Sequence, residues 1–310
     1  MALGTNQVGV TVAGNFIPEL WSDEVIGAYK TNLVVANLVT KLSHKGKKGD
    51  TIHIPVPARG SASAKAVNTQ VTLSAATNSV VDVSINKHYE YSKLIEDIAE
   101  VQALASMRKF YTDDAGFALA TQVDTDLMNL AEGFQTGTTT DKSYDTAFIG
   151  TGTTAFTGTN EADITDAGIR AFILNLDNAN VPMDNRALII PPICANDLLG
   201  INRFTEQQYI GNGDAIRTGK IGMIYGVDVF VTTNCPTVKS SGGTGNSAGG
   251  TERVGVLMHK DALVLAEQVG VRSQTQYKQE YLGDLFTSDT IYGVKELRND
   301  AGLAFVVPAT

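Results

Sequence analysis

The sequence predicts an α+β fold in which a long helix packs against strands drawn from distant parts of the chain. A helical period without any proline runs over residues 97–130, which is longer than an ordinary globular helix. Two alternating, strand-like stretches, 51–57 and 80–91, flank a polar excursion. Helical and strand-like stretches then alternate over 161–268, as in a compact α/β unit.

Composition limits the function before any motif is considered. The 310 residues carry a net charge of −9, and 18% of them are charged, against about 25% in typical domains. Either other subunits cover part of this surface, or the surface is a neutral one rich in Ser, Thr and Asn. The acidic balance argues against a protein that coats nucleic acid, and the basic run at 41–48 is typical of a solvated turn. Two distant cysteines indicate no disulfide framework, and no apolar run is long enough to span a membrane.

The N-terminal fifty residues predict an arm followed by a helix. Residues 1–16 are small and polar, without a helical period, and we expect them to be extended. Residues 17–40 predict a helix because proline stands near the start and apolar residues recur at helical spacing. These apolar residues are Trp21, Val25, Tyr29, Leu33 and Ala36.

A projecting hairpin is predicted next. The strands 51–57 and 80–91 enclose about twenty small, polar residues, among them the isolated charges Arg59 and Lys65. Loops of this length inside compact domains are uncommon and usually functional.

The remaining elements follow from the same patterns. After the long helix we predict a helix over 163–178, a buried strand over 186–190, a short helix over 191–200, and strands over 224–232 and 254–258. We expect a helical turn or two over 260–267 and returning strands over 269–308.

The search for catalytic chemistry gives mostly negative results. Residues 150–155 (GTGTTA) match the glycine string of dinucleotide sites, but no helix follows directly, so the required strand–turn–helix context is missing. The four histidines lack zinc-ligand spacing, and no nucleophile elbow occurs. We therefore predict no catalytic residues, no metal, no cofactor and no enzymatic activity.

Several stretches resemble one family when they are taken in order. These are GKIGMIYGVDVFVTTNCP (219–236), VGVLMHKDA (254–262), GVKELR (293–298) before FVVP (305–308), and, nearer the N-terminus, NQVGVTVAGNFIPELWSDEV and KKGDTIHIP. Together with the element order, they resemble the major capsid protein of tailed bacteriophages, which has the Hong Kong 97-like fold. The N-terminal stretches are similar to those of podophage and cyanophage members.

The resemblance implies a division of the chain. Residues 1–50 would be the N-terminal arm and helix, and 51–91 the extended loop hairpin. Residues 92–160 and 269–310 would form the peripheral domain with its spine helix, and 161–268 the axial domain.

The resemblance also implies roles for individual residues. Arg59, Lys65, Asn68 and Gln70 would be inter-subunit contacts of the extended loop, and Gly219, Gly222 and Gly226 would be turn glycines of the axial domain. Some family members join subunits by a lysine–asparagine bond. Lys65 lies at a plausible loop position, but no partner asparagine or glutamate can be assigned, so we predict no crosslink.

The function implied is structural. Copies of the chain would self-assemble into hexamers and pentamers of an icosahedral shell around double-stranded DNA, without sequence-specific DNA binding or a membrane. Because no scaffold-like segment precedes the arm, we expect a separate scaffolding protein. The resemblance also implies a portal protein as a partner and leaves open whether a decoration protein is present. The protein would be assembled in the host cytoplasm and reside in the virion. Two alternatives remain: an α/β enzyme with a glycine-rich ligand loop, and a protein that forms open tubes or a surface layer.

Overall fold

The structure of the chain is a computed structural model. It describes residues 34–43, 49–56, 60, 62–71, 79–97, 107–135, 147–156, 161–201, 222–238 and 252–308. The predicted arm, the predicted helical residues 17–33, Arg59 and Gly219 lie outside these ranges.

One sheet of the fold has four strands. Its strands, in spatial order, are β1 (Thr40–Ser43), β11 (Leu263–Lys278), β12 (Gly283–Glu296) and β4 (Lys87–Glu96). β11 and β12 form a long antiparallel hairpin, β4 pairs with β12, and β1 runs parallel to β11. The sheet thus unites strands that lie more than 200 residues apart in sequence.

The long helix α2 (Met107–Asn129) packs on this sheet and continues into a 3-10 helix, Leu130–Gln135. Its apolar residues Leu127 and Met128 are fully buried in the main core. The single helical turn α1 (Val35–Leu38) packs beside α2. The predicted spine helix is therefore present over the described part of its range.

A second sheet has seven strands. Its main path runs β5 (Phe148–Ile149), β13 (Gly302–Pro308), β10 (Glu252–His259), β6 (Arg186–Ile190), β8 (Val227–Val231) and β7 (Met223–Ile224), and β9 (Thr237–Val238) pairs with β10. The strands β6, β10 and β13 are almost wholly buried, as the central strands of a covered sheet are.

Two helices flank this sheet. Helix α3 (Asp166–Asn178) begins where the hydroxyl of Thr165 accepts a hydrogen bond of 3.0 Å from the backbone amide of Gly168. Its Phe172 stacks on Phe305 of β13, with ring centroids 4.7 Å apart. Helix α4 (Pro192–Leu199) follows β6 directly and has proline at its first position, as predicted.

The hairpin prediction is confirmed, with one difference. Strands β2 (Thr51–Val56) and β3 (Ser79–Ser84) pair as an antiparallel ribbon. The alternating stretch 80–91 is two strands, because the chain leaves β3 at Ser84 and enters the four-stranded sheet at Lys87.

Two local predictions are wrong. Residues 260–267 form a 3-10 turn, Lys260–Ala262, and then the start of β11. The run Leu263–Ala266 is buried on both faces, so it lacks the alternation that would have identified a strand. The stretch 224–232 is split by a turn at Tyr225 and Gly226 into β7 and β8.

The predicted domain division remains a prediction. The seven-stranded sheet combines strands from within 161–268 with β5 and β13, which lie outside that range. A single main core extends across these elements and under α2.

Candidate assembly surface

The β2–β3 ribbon carries little core of its own. Most side chains on its two strands are exposed, and Val83 is the one fully buried residue among them. An exposed cross-strand pair, His53 and Asp82, has its ring nitrogen and carboxylate oxygen 2.6 Å apart. Because isolated two-stranded ribbons are marginally stable in water, this one depends on what it contacts.

The base of the ribbon is anchored to the four-stranded sheet. Val83 and Ile85 form a small buried cluster with Val264 and Ala266 of β11. Gly293 of β12 fits directly beneath, because a Cβ there would lie 2.4 Å from the backbone oxygen of Ser84. The root of the ribbon is thus fixed, while its far end lies away from this cluster.

The excursion beyond the ribbon places three predicted contact residues at the surface. Lys65, Asn68 and Gln70 are all exposed. Asn68 has φ +63° at the third position of a turn, and the hydroxyl of Thr69 donates 2.7 Å to the backbone oxygen of Ala66. The fourth predicted residue, Arg59, lies outside the described ranges.

Two apolar side chains of the same excursion were not singled out by sequence. Val67 is 88% exposed and Val71 is 63% exposed. Exposed valines beside exposed polar side chains suit contact with another surface. In the sequence these residues are two isolated valines in a polar loop. A periodic spacing of apolar residues cannot identify them because they belong to no repeating pattern.

A second exposed set lies at the β11–β12 turn. Tyr277, Tyr281 and Leu282 are each about half exposed or more, and Leu282 has φ +46°. The hydroxyl of Tyr277 donates 2.9 Å to Asp97, which ties this turn to the end of β4. Periodic apolar spacing does not predict this exposed set, although two large residues, Tyr281 and Leu282, stand directly before Gly283 in the sequence.

Two of the three predicted turn glycines, Gly222 and Gly226, lie within the described residues. Gly226 has φ +80° and follows Tyr225 at φ +50°, which makes the two-residue turn between β7 and β8 one that favours glycine. The Tyr225 hydroxyl donates to Asp166 at the start of α3. Gly222 has an ordinary φ, open space around its Cα, and a backbone oxygen that accepts 3.1 Å from Val229. Gly219 lies outside the described ranges.

The glycine string at 150–155 packs against α3. A Cβ on Gly168 of α3 would lie 2.1 Å from the backbone oxygen of Gly150, and one on Gly152 would lie 2.8 Å from the Cα of Gly168. The turn is closed by a 2.8 Å bond from the amide of Gly152 to the oxygen of Ile149. These glycines therefore permit close backbone packing, which accounts for them without a ligand.

Three titratable side chains, Asp126, Cys194 and Cys235, are buried inside the subunit. Asp126 accepts hydrogen bonds from Tyr292 and Gln122 and lies 3.1 Å from Lys87. Burial raises the pKa of Cys194 and raises that of Cys235 to about 12, so both thiols stay protonated and poorly nucleophilic at neutral pH.

No metal or membrane site emerges from the part of the chain that the structure describes. Within these ranges, no three His, Cys, Asp or Glu side chains are grouped so that they could hold a metal ion. His53 pairs with Asp82 and His88 with Asp289, rather than with each other. None of the helices in the described ranges has the length and apolarity that crossing a membrane requires.

Comparison with known proteins identifies the fold. No family model matches the sequence, and no curated protein does. Solved structures match over nearly the whole chain. A chain of Mycobacterium phage Che8 has 24% identity and a TM-score of 0.74, over 94% of this chain and 97% of that one. A chain from the capsid of cyanophage P-SCSP1u has 20% identity and a TM-score of 0.75, over 99% and 97%.

A third structure agrees with the first two. A chain from the capsid of cyanophage Pam1 has 14% identity and a TM-score of 0.71, with 99% of each chain covered. The α+β, Hong Kong 97-like fold predicted from the sequence is therefore confirmed. The similarity lies in the fold, while few residues are shared.

Proposed function

We propose that the chain is the major capsid protein of a tailed bacteriophage, a structural protein and not an enzyme. Its copies self-assemble into hexamers and pentamers of an icosahedral shell that encloses double-stranded DNA. The observation that carries this proposal is the fold shared end to end with phage capsid chains. These likenesses cover 97–99% of both chains.

The geometry of the ribbon supports assembly. Its root is fixed by Val83 and Ile85, and its far end presents Lys65, Val67 and Asn68 to the exterior. We propose that this end lies on a neighbouring subunit, where Lys65, Asn68, Gln70 and also Arg59 make contacts. Many modest contacts per subunit then add up to a stable shell by avidity.

The partners and location follow from the same proposal. A separate scaffolding protein guides shell closure, a portal protein occupies one vertex, and a decoration protein is a further candidate partner. The net charge of −9 suits a wall that contains DNA without binding it tightly. Assembly takes place in the host cytoplasm, and the protein then resides in the virion.

Expression of the full chain with and without the neighbouring scaffolding gene tests the proposal. The products are examined by light scattering and negative-stain electron microscopy. Closed shells or ring-shaped capsomers are expected. Open tubes would indicate instead that the chain is a tube-forming or surface-layer protein. A discrete dimer or tetramer under all conditions would overturn the proposal and return attention to the enzyme alternative.

A further inference from the structure

The turn between β11 and β12 holds three large side chains at the surface. Tyr277, Tyr281 and Leu282 are 47%, 62% and 66% exposed. Leu282 has φ +46°, a left-handed conformation that residues other than glycine adopt only at a cost in free energy. The fold thus accepts backbone strain at a residue whose apolar side chain is exposed. Strain of this kind is concentrated at binding and other functional positions.

Hydrogen bonds fix this turn to the end of β4. The Tyr281 amide donates 3.1 Å to the backbone oxygen of Lys278. The Asp97 amide donates 3.1 Å to the backbone oxygen of Leu282, and the Tyr277 hydroxyl donates 2.9 Å to the Asp97 carboxylate. A surface that is already ordered loses little conformational entropy when a partner binds to it.

The turn is acidic, and the exposed end of the ribbon is basic. Residues 277–284 and the adjoining end of β4 carry one ammonium group, Lys278, and four carboxylates: Glu96, Asp97, Glu280 and Asp284. On the ribbon, Lys65 is the only charged residue between positions 60 and 78, and Val67 beside it is 88% exposed. The turn and the ribbon end are therefore complementary in charge, whereas the turns of two copies would repel each other.

The root of the ribbon and the turn lie at opposite ends of the same sheet. The ribbon root packs on Val264 and Ala266, at the start of β11. The turn begins where β11 ends at Lys278, which is about 45 Å farther along the strand at 3.3 Å per residue. Complementary surfaces at opposite ends of a subunit favour head-to-tail contacts between copies. Such contacts generate a ring when the rotation between copies closes.

We propose that the β11–β12 turn of one copy receives the ribbon end of the next copy. In this contact Lys65 faces the carboxylates of Glu280 and Asp97. The exposed Val67 packs against Tyr281. This inference rests on the proposed assembly function and names the surface on which the ribbon end lies. An aromatic anchor surrounded by polar and charged side chains is the usual composition of a specific contact between proteins.

Charge reversal on each of the two surfaces tests this contact. Lys65→Glu and Glu280→Lys each bring like charges together, and the repulsion is repeated at every contact of a shell. We therefore expect the particle yield, measured by light scattering, to fall on the order of tenfold in each variant. Both positions are exposed, so circular dichroism should show that the unassembled variants are folded.

A mixture of the two variants distinguishes contact between copies from contact within one chain. In an equimolar mixture, the reversed ribbon of one variant meets the reversed turn of the other, and the two native surfaces also meet. We expect the mixture, and likewise the double variant, to recover most of the lost particle yield. The control is Lys65→Glu mixed with Asp184→Lys, which reverses an exposed carboxylate in the loop after α3 and should recover nothing.

Full particle yield from either folded single variant would overturn the proposal. So would a mixture that assembles no better than its components, because the contact would then not join the ribbon of one copy to the turn of another. If a charge reversal does not fold, Tyr281→Ser replaces it, and an undiminished yield from that variant would overturn the proposal equally.

The wild-type sample separates this inference from the proposed function. Wild-type chain that forms no particles would overturn the proposed function and this inference with it. Wild-type particles beside a mixture without recovery would overturn this inference alone.

Discussion

The phenolic hydroxyl of Tyr292 donates a hydrogen bond of 2.7 Å to the carboxylate of Asp126, and both side chains are buried. This bond joins β12 to α2 at the contact between the sheet and the long helix. The same carboxylate oxygen lies 3.1 Å from the Lys87 ammonium of β4. Burial and the neighbouring Asp126 raise the pKa of Tyr292, so the phenol remains a neutral donor at all ordinary pH values.

Removal of this hydroxyl should destabilise the subunit. Tyr292→Phe leaves a buried carboxylate without one of its donors, and we expect the free energy of unfolding to fall by about 1–3 kcal/mol. Urea unfolding of the unassembled chain measures this. Tyr277→Phe is the control, because its hydroxyl donates to Asp97 at the surface, and a change within about 0.5 kcal/mol is expected. Equal losses in the two variants would contradict the structural role of the buried bond.

The packing of the glycine string on α3 gives a second prediction. Gly168→Ala would place a methyl group 2.1 Å from the backbone oxygen of Gly150. Because the clashing atom belongs to the backbone, relieving the clash requires the backbone to shift, which costs free energy. A loss on the order of 3 kcal/mol in the free energy of unfolding is expected. Gly116→Ala, in an open position of α2, should instead stabilise by about 0.5–1 kcal/mol. If Gly168→Ala left the free energy of unfolding in urea unchanged, close packing would not explain the glycine string.

The turn between β7 and β8 gives a third prediction, which concerns the conformation of Gly226. Gly226 has φ +80°, so Gly226→Ala should cost about 1 kcal/mol of unfolding free energy. Gly222→Ala should be nearly neutral because Gly222 has an ordinary φ and open space. Thermal or urea unfolding of the two variants side by side tests the difference. The turn geometry would be refuted by a Gly226→Ala variant as stable as Gly222→Ala.

The pairing of Asp289 with Arg272 predicts a pH dependence. The bidentate hydrogen bonds from Arg272, 2.7 and 2.8 Å long, together with His88, hold the pKa of Asp289 below its ordinary value. A carboxylate with a lowered folded pKa contributes stability above its unfolded value, about 4, and loses it as the pH falls through the folded pKa. The stability difference between wild type and Asp289→Asn should therefore be greatest at neutral pH and shrink below about pH 4.

Urea midpoints from pH 7 to acid check this pH dependence. A difference for Asp289→Asn that stays constant over this range would mean that the ion pair has no part in acid stability.

The exposed end of the ribbon should matter for assembly and not for folding. Val67 is 88% exposed, so Val67→Asp should change the free energy of unfolding by no more than about 0.5 kcal/mol. If the proposed contact with a neighbouring subunit exists, the variant should form far fewer particles by light scattering. Val67→Ile keeps an apolar side chain there and should assemble normally. Val67→Asp particles in wild-type yield would exclude Val67 from the contact.

Local patterns in the sequence predicted the elements whose environment is simple. The strand Arg186–Ile190 was predicted at its observed bounds because a short apolar run between turn residues has few alternatives. The start of β11 was not predicted as a strand, because Leu263–Ala266 is buried on both faces and its apolar residues do not alternate with polar ones. Which strands share a sheet depends on contacts between residues far apart in sequence, such as the pairing of Thr40 with Val264, and no local pattern carries that information.

The candidate surface was predictable only in outline. The polar excursion pointed to Lys65, Asn68 and Gln70, and the structure places all three at the surface. The exposure of Val67, Val71 and the β11–β12 turn was not predicted, because an apolar residue is expected inside unless the backbone around it is known.

Cryo-electron microscopy of the particles formed by the full-length chain tests the central claim most directly. We expect an icosahedral shell of hexamers and pentamers in which residues 62–71 of each ribbon lie against a neighbouring subunit. Particles without icosahedral order, or a shell in which these residues contact only their own subunit, would contradict the account.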